Sequence, residues 1–151
     1  MAHFTLQITA GGPVLKGALW VSAARHAALT VANQTLPAVA TIEALVDTGA
    51  TSTVVEPAIL QALQLSPIGQ VATLTPSTGG SPVMCDQYDV SLTIFGPTTS
   101  SPRFNLPNLL VIAAMPNSLS TQGIDALIGR DVLGHCLMHY NGTAGFFTLA
   151  Y

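Results

Sequence analysis

Charge is what this sequence has least of. Only 7% of its 151 residues are charged, against about a quarter in ordinary soluble domains. The basic complement is Lys16, Arg25, Arg103 and Arg130, scattered along the chain. That gives no electrostatic footprint for nucleic acid or an anionic membrane surface. Between Pro57 and Cys85 there is no charged side chain at all. So weakly charged a surface is poorly protected against association, and an oligomer or a buried interface is expected.

Long apolar runs are missing too. Apolar residues reach 49% of the chain, yet no stretch approaches the roughly 18 residues of a spanning helix. The best candidate, "LPNLLVIAAMP", is closed by Pro107 and Pro116 and reads as a buried strand. The N-terminus has no charged start followed by a long apolar core, so a cytoplasmic protein is expected. The sequons at Asn33 and Asn141 then carry no weight. Two cysteines, Cys85 and Cys136, make no disulfide framework and are expected as buried free thiols. With four dispersed histidines they offer no metal-ligand spacing, so no metal and no cofactor are expected.

What is there alternates between strand and turn. "HFTLQIT" reads as a first strand ended by Gly11, Gly12 and Pro13. Residues 14–32, rich in Ala and Leu, place Leu15, Leu19, Ala23, His26 and Leu29 at helical spacing and predict a helix. Trp20 and His26 read as packing residues. "VATIEALVDTG" is a β-branched strand running into a turn, and "EPAILQALQL" a short helix with Pro57 at its first position. "VATLTPSTGGSPVMCDQYDVSLTIFG" predicts a hairpin with a glycine tip at Ser77–Ser81. "FNLPNLLVIAAM" is a further strand. "IDALIGRDVLGHCLMHY" reads as strand, tight Gly129, and a short helix from near Arg130. A last hairpin turns at Asn141–Gly142. The sum is mainly β with a few short helices.

One carboxylate sits where composition gives no reason for it: Asp47, in "ALVDTGATSTVV". An Asp-Thr-Gly triplet alone is weak, because an aspartate in a turn commonly bonds backbone amides two residues on. Here it follows an apolar strand and precedes a small and then apolar run. About thirty residues later comes the glycine-tipped hairpin, and near the C-terminus stands "ALIGRDVL". In that order these elements resemble the retropepsin-like aspartic proteases. "ALVDTGATSTVV" is similar to the family's catalytic loop, "DQYDVSLTI" to the strand leaving its flap, and "ALIGRDVL" to its second signature. The resemblance runs over roughly residues 38–151.

The resemblance implies a closed acid-protease β-barrel with one catalytic loop per subunit, over a single domain spanning 1–151. Residues 10–36 would be an extra helical segment without a clear counterpart. Met1 and the lack of a linker suggest a whole product, although a domain that matures itself from a longer chain would look the same. There is no second Asp-Thr-Gly or Asp-Ser-Gly in the sequence, so the partner carboxylate would be Asp47 of a second subunit in a two-fold homodimer. Two carboxylates in contact hold one proton between them. The ionised one activates a water, and the protonated one donates to the peptide carbonyl oxygen. Activity should be bell-shaped with pH and favour mild acid.

The family also implies roles for the neighbours. Asp47, Thr48 and Gly49 form the catalytic triplet, with the Thr48 hydroxyl bonding the opposite loop. Ala50, Thr78, Gly79, Gly80, Ser81, Leu127 and Ile128 would contact substrate, with Thr75–Val83 as the flap; plain core is the alternative for Leu127 and Ile128. Gly129 and Arg130 would be structural. Many retroviral enzymes pair that arginine with an acid soon after the triplet. Here Thr51, Ser52 and Thr53 follow, leaving Arg130 to another acid or to backbone carbonyls. Asp125 is either a pocket-edge residue favouring basic or polar substrates or a solvated loop acid. The partners expected are a second copy and a peptide or protein substrate. The competing reading is a module that keeps this fold to bind peptides or dimerise without cleaving.

Overall fold

A computed structural model describes residues 1–74 and 79–151. Its strands are β1 (His3–Gln7), β2 (Val14–Val21), β3 (Ala40–Val46), β4 (Val54–Val55), β5 (Gly69–Thr73), β6 (Val83–Phe95), β7 (Arg103–Ala113), β8 (Ala126–Ile128), β9 (Leu137–Asn141) and β10 (Phe146–Ala150). The α-helices are α1 (Ala23–Val31), α2 (Pro57–Ala62) and α3 (Arg130–Leu133). None of the described helices is long and apolar enough to cross a membrane.

Six strands close on themselves. The order β2-β3-β8-β4-β7-β6 returns to β2 through the β2–β6 pairing, and β5 extends from β6. Closure removes the unpaired edges a flat sheet would expose. β6 makes it possible by its length. On one side its first half pairs with β5 (Thr73↔Val83 to Gly69↔Gln87), and its second half with β2 (Val21↔Val90 to Gly17↔Ile94). β7 runs along its other side, with a register shift between Val90 and Leu92. The alternating Val90, Leu92 and Ile94 point inward and are fully buried with Leu15, Leu19 and Val111.

The sequence predicted a helix over 14–32, and the structure corrects its first half. Val14–Val21 is a strand and only Ala23–Val31 is helical. β2 is paired on both edges, with β3 and β6; Leu15, Gly17, Leu19 and Val21 are buried on one face, and the other face carries exposed Lys16 beside Val14, Ala18 and Trp20, so its sequence is nearly unbroken apolar. Gly17 is required there because a Cβ would lie 2.6 Å from the Thr93 carbonyl oxygen. The helix begins where Ser22 accepts the Arg25 N–H at its N-cap. Trp20 packs against His26 with the rings tilted and their centroids 5.0 Å apart, and its indole N–H donates to the Pro37 carbonyl, a packing role.

A second sheet of three strands has the order β1-β10-β9. The terminal segment "GFFTLAY" thus supplies an inner strand paired on both sides within one chain. Phe4, Phe147 and Leu149 carry this sheet onto the common core.

Candidate active site

The site is built where β3 ends. β8 lies between β3 and β4, parallel to the first (Val46↔Ile128) and antiparallel to the second (Val54↔Leu127). Residues 47–53 must therefore cross over the end of β8, and they do so at Gly129. Any Cβ on Gly129 would stand 2.6 Å from the Ser52 carbonyl carbon and 2.9 Å from the Thr53 nitrogen, both backbone. With φ at −88° the requirement is one of space alone.

Asp47 sits half-buried at the start of that crossing. Its N–H donates to the Ile128 carbonyl at 2.9 Å, extending the β3–β8 ladder, and its Oδ1 accepts the Gly49 N–H at 2.9 Å. The second bond is the turn contact that an aspartate two residues before a glycine makes. It orients the carboxylate while Thr48 and Gly49 stand exposed beside it. Ala50 closes the turn by donating to the Asp47 carbonyl at 3.2 Å and accepting the Arg130 N–H at 2.9 Å.

Arg130 is the clamp. Its Nη1 donates to the carbonyls of Thr48 (3.1 Å) and Gly49 (3.4 Å), and its Nη2 to the Thr51 hydroxyl (3.0 Å). Of the two partners left open by the sequence, it takes the carbonyls. The acidic link between loop and helix exists with its direction reversed. Asp131, in the first turn of α3, accepts the Thr53 N–H at 2.7 Å and the Thr53 hydroxyl at 2.8 Å. The same hydroxyl accepts the Gly129 N–H at 3.2 Å, and Thr53 is 1% exposed. Sequence reasoning missed Thr53 and Asp131. The available signal was an acid in the first turn of a helix, facing a run of hydroxyl residues.

Of the other predicted residues, Leu127 is half-buried and borders a cleft, whereas Ile128 is 0% exposed in the core. Gly79 and Gly80 carry positive φ (61° and 86°) and lie exposed with Ser81 between β5 and β6. Residues 75–78, the first part of the expected flap and including Thr78, lie outside the described residues. Asp125, half-buried, lines neither of the two hollows described below and bonds the backbone of β3. Its N–H donates to the Glu43 carbonyl at 2.7 Å, and its Oδ2 accepts the Glu43 N–H at 2.8 Å.

The cleft, of about 250 Å³, is mostly apolar. Leu127 and Val54 form its floor, Val83 and Cys85 of β6 one wall, and Met115 and Leu119 the other. The last wall is held by a buried acid that the sequence did not flag. Glu56, 4% exposed, accepts the N–H groups of Asn117 (2.6 Å), Leu119 (3.1 Å) and Ser120 (3.2 Å). A hollow of similar size is lined by Trp20, His26 and Pro107, with no residue of β4 or β8. Both cysteines are free and half-buried, and burial pushes the Cys136 thiol above its ordinary value. Among the described residues no group of three His, Cys, Asp or Glu could hold a metal ion.

A family model described as "Aspartyl protease" matches residues 27–132, which contain the Asp47 loop, β8 and α3. The chain belongs to the aspartyl protease family. Within it the fold is retropepsin-like, a closed six-stranded barrel with a few short helices. A retropepsin-like aspartic protease from Rickettsia conorii superposes with a TM-score of 0.60 at 13% identity, over 99% of this chain and 91% of that one. No curated protein matches this family member. Identity that low carries the fold alone, so what this aspartyl protease relative does must be argued from its own residues.

Proposed function

We propose that the chain is an aspartic endopeptidase that works as a two-fold homodimer, each subunit contributing one Asp47. The observation that carries this is the Asp47 loop itself. A half-buried carboxylate is oriented by the Gly49 N–H, and its loop is fixed by Arg130 and by the Asp131–Thr53 bonds, leading into β4, whose Val54 lines an apolar cleft together with Leu127. A turn aspartate with no task has no need of that second layer of bonds, whereas a catalytic group must be held within about 0.5 Å of its working position.

In the dimer two Asp47 carboxylates meet across the axis and share a proton. Water bound between them loses a proton to the ionised oxygen as it attacks the peptide carbonyl. The protonated carboxyl donates to the carbonyl oxygen, giving a tetrahedral diol with no covalent enzyme intermediate. Collapse returns a proton to the leaving amine. Thr48, exposed beside Asp47, bonds the partner loop and keeps the two acids in place. An extended substrate lies over Leu127, with apolar side chains entering the cleft and the β5–β6 hairpin, Gly79 and Gly80 included, closing above it.

The test is cleavage of a diverse peptide mixture between about pH 3 and 7, native chain against Asp47→Asn. Cleavage with a bell-shaped pH profile by the native chain and none by a folded Asp47→Asn variant is expected. Peptide binding without cleavage by the native dimer would instead assign a binding module.

A further inference from the structure

One wall of the cleft is held in place by a single side chain. Residues 115–124 arch away from the barrel between β7 and β8. The backbone is left-handed near each end, at Asn117 (φ 64°) and Gly123 (φ 74°), with one 3₁₀ turn at Ser120–Gln122. Met115, Ser118, Leu119 and Gln122 of this arch line the cleft. Within it, Gln122 Nε2 donates to the Ser118 carbonyl at 2.7 Å and the Gln122 N–H to the Leu119 carbonyl at 2.9 Å. Among the described residues, every hydrogen bond that leaves the arch ends on Glu56. Leu119 and Ile124 are its buried side chains, yet neither belongs to the main core cluster.

Glu56 does not do what its own position invites. It is the N-cap of α2, where a side chain ordinarily accepts from the first turn of its helix, and it makes no such bond. It is also the one buried charged side chain among the described residues, and the one ion pair found there is Lys16–Glu43. A carboxylate inside a protein is costly unless its hydrogen bonds are made. Here Oε1 accepts the Asn117 N–H and Oε2 those of Leu119 and Ser120, three charge-assisted bonds to a segment 61 to 64 residues away. The Glu56 backbone is fixed as well, its N–H donating to the Asp125 carbonyl at 2.8 Å and its carbonyl accepting the Ile59 N–H at 3.0 Å. Four consecutive residues thus link the Asp47 loop to the cleft wall. Thr53 bonds Asp131, Val54 lines the cleft floor, Val55 is buried in the core, and Glu56 holds the arch.

Resting on the protease reading above, we infer that Glu56 is a positioning residue for substrate selection. At 4% exposure it offers a peptide no surface of its own. It acts by holding the arch at a fixed height over Leu127 and Val54, and so limits the size of the side chain that the cleft receives. No charged side chain lines the cleft, so size and shape are what it selects by. Loosening the anchor lets Met115 and Leu119 recede. Larger side chains then gain room, and smaller ones lose contact.

The test uses peptides built on the sequence of the mixture that is cut best or, failing cleavage, bound best. Each position in turn is set to leucine or tryptophan, and kcat/KM is measured. At the position that enters the cleft, Glu56→Gln should raise the tryptophan-to-leucine ratio at least about fivefold over the native chain. Val90→Ala, a core change away from the cleft, should lower Tm and leave the ratio alone, which separates positioning from lost stability. If Glu56→Gln does not fold, Leu119→Ala decides the matter, since it cuts the wall back with the anchor intact and should raise the same ratio. A ratio unmoved by Glu56→Gln or by Leu119→Ala, or moved equally by Val90→Ala, overturns the assignment and leaves the protease intact. If the native chain cuts none of the peptides, the protease reading falls, and the affinity ratio of the same pairs by calorimetry decides for or against Glu56 on the same criterion. A native chain that neither cuts nor binds them overturns both.

Discussion

Replacing Gly129 by alanine should be the most damaging one-methyl change in this protein. The added Cβ would lie 2.6 Å from the Ser52 carbonyl carbon, 2.7 Å from its oxygen and 2.9 Å from the Thr53 nitrogen, where ordinary contact begins at 3.4 Å. All three atoms are backbone, so no side chain can swing away, and the crossing loop must lift by about 0.8 Å to restore contact. Lifting it stretches the Gly129–Thr53 and Asp131–Thr53 bonds. Overpacking of this kind costs about 1–3 kcal/mol, and the strained buried bonds place the expectation near the top, about 3 kcal/mol. For a chain of this length that is a fall in Tm of roughly 6–12 °C. The same lift moves Asp47, and about 1 Å of misplacement costs around a hundredfold in rate. Thermal denaturation followed by peptide cleavage at saturating substrate reads both. Gly69→Ala is the control, because its nearest neighbour is the tip of Gln87 at 3.7 Å, and it should be close to neutral. A Gly129→Ala protein that melts within about 1 °C of native and keeps its kcat would refute the steric argument.

Thr53→Val keeps the shape of a buried side chain and deletes its hydroxyl, leaving Asp131 and the Gly129 N–H each short of a partner. A loss of about 2–4 kcal/mol in urea unfolding is expected. Glu56→Gln sets an amide NH₂ against the N–H groups of Asn117, Leu119 and Ser120. It should cost about 2–3 kcal/mol and, because Met115 and Leu119 border the cleft, raise KM more than it lowers kcat. Burial raises the Cys136 thiol above 9.0, and raises the Tyr151 and Tyr88 phenols above 10.0, Tyr151 with help from Cys136 and Tyr88 with help from Asp86. The folded chain then holds protons that the unfolded chain releases, so stability is full below pH about 9 and declines above it. Tm measured from pH 8 to 10.5 should fall, less steeply in Cys136→Ser, and a flat profile would contradict the assignment.

How far the sequence could be read depended on whether a signal was local. Asp47-Thr48-Gly49, the glycine tip and "ALIGRDVL" are short patterns whose order along the chain identifies the fold without knowledge of contacts. β2 was misread because three of the four residues on its outer face, Val14, Ala18 and Trp20, are apolar as well, so no polar alternation marks the strand and "VLKGALWV" satisfies a helical template equally well. Ser22, a good N-cap, marked the true helix start inside the same stretch. Asp125, Glu56 and Asp131 were acids with no pattern around them. Their partners, Glu43, the Asn117–Ser120 turn and Thr53, lie between 61 and 82 residues away in the chain. No window-based reading reaches that far. For Arg130 the sequence reduced the choice to an acid or carbonyls, and only the crossing loop decided between them.

The pairing of β1 with β10 has a consequence for the order of folding. Tyr151 N–H meets the Ala2 carbonyl at 2.9 Å, so this ladder closes a loop of nearly the whole chain. Bringing such ends together costs on the order of 4 kcal/mol of entropy, and nothing is returned until Phe4, Phe147 and Leu149 are buried. The β5–β6 and β6–β7 hairpins close far shorter loops and should form early, with the three-stranded sheet completing last. The β5, β6 and β7 part of the barrel would then be in place before β1 and β10 meet.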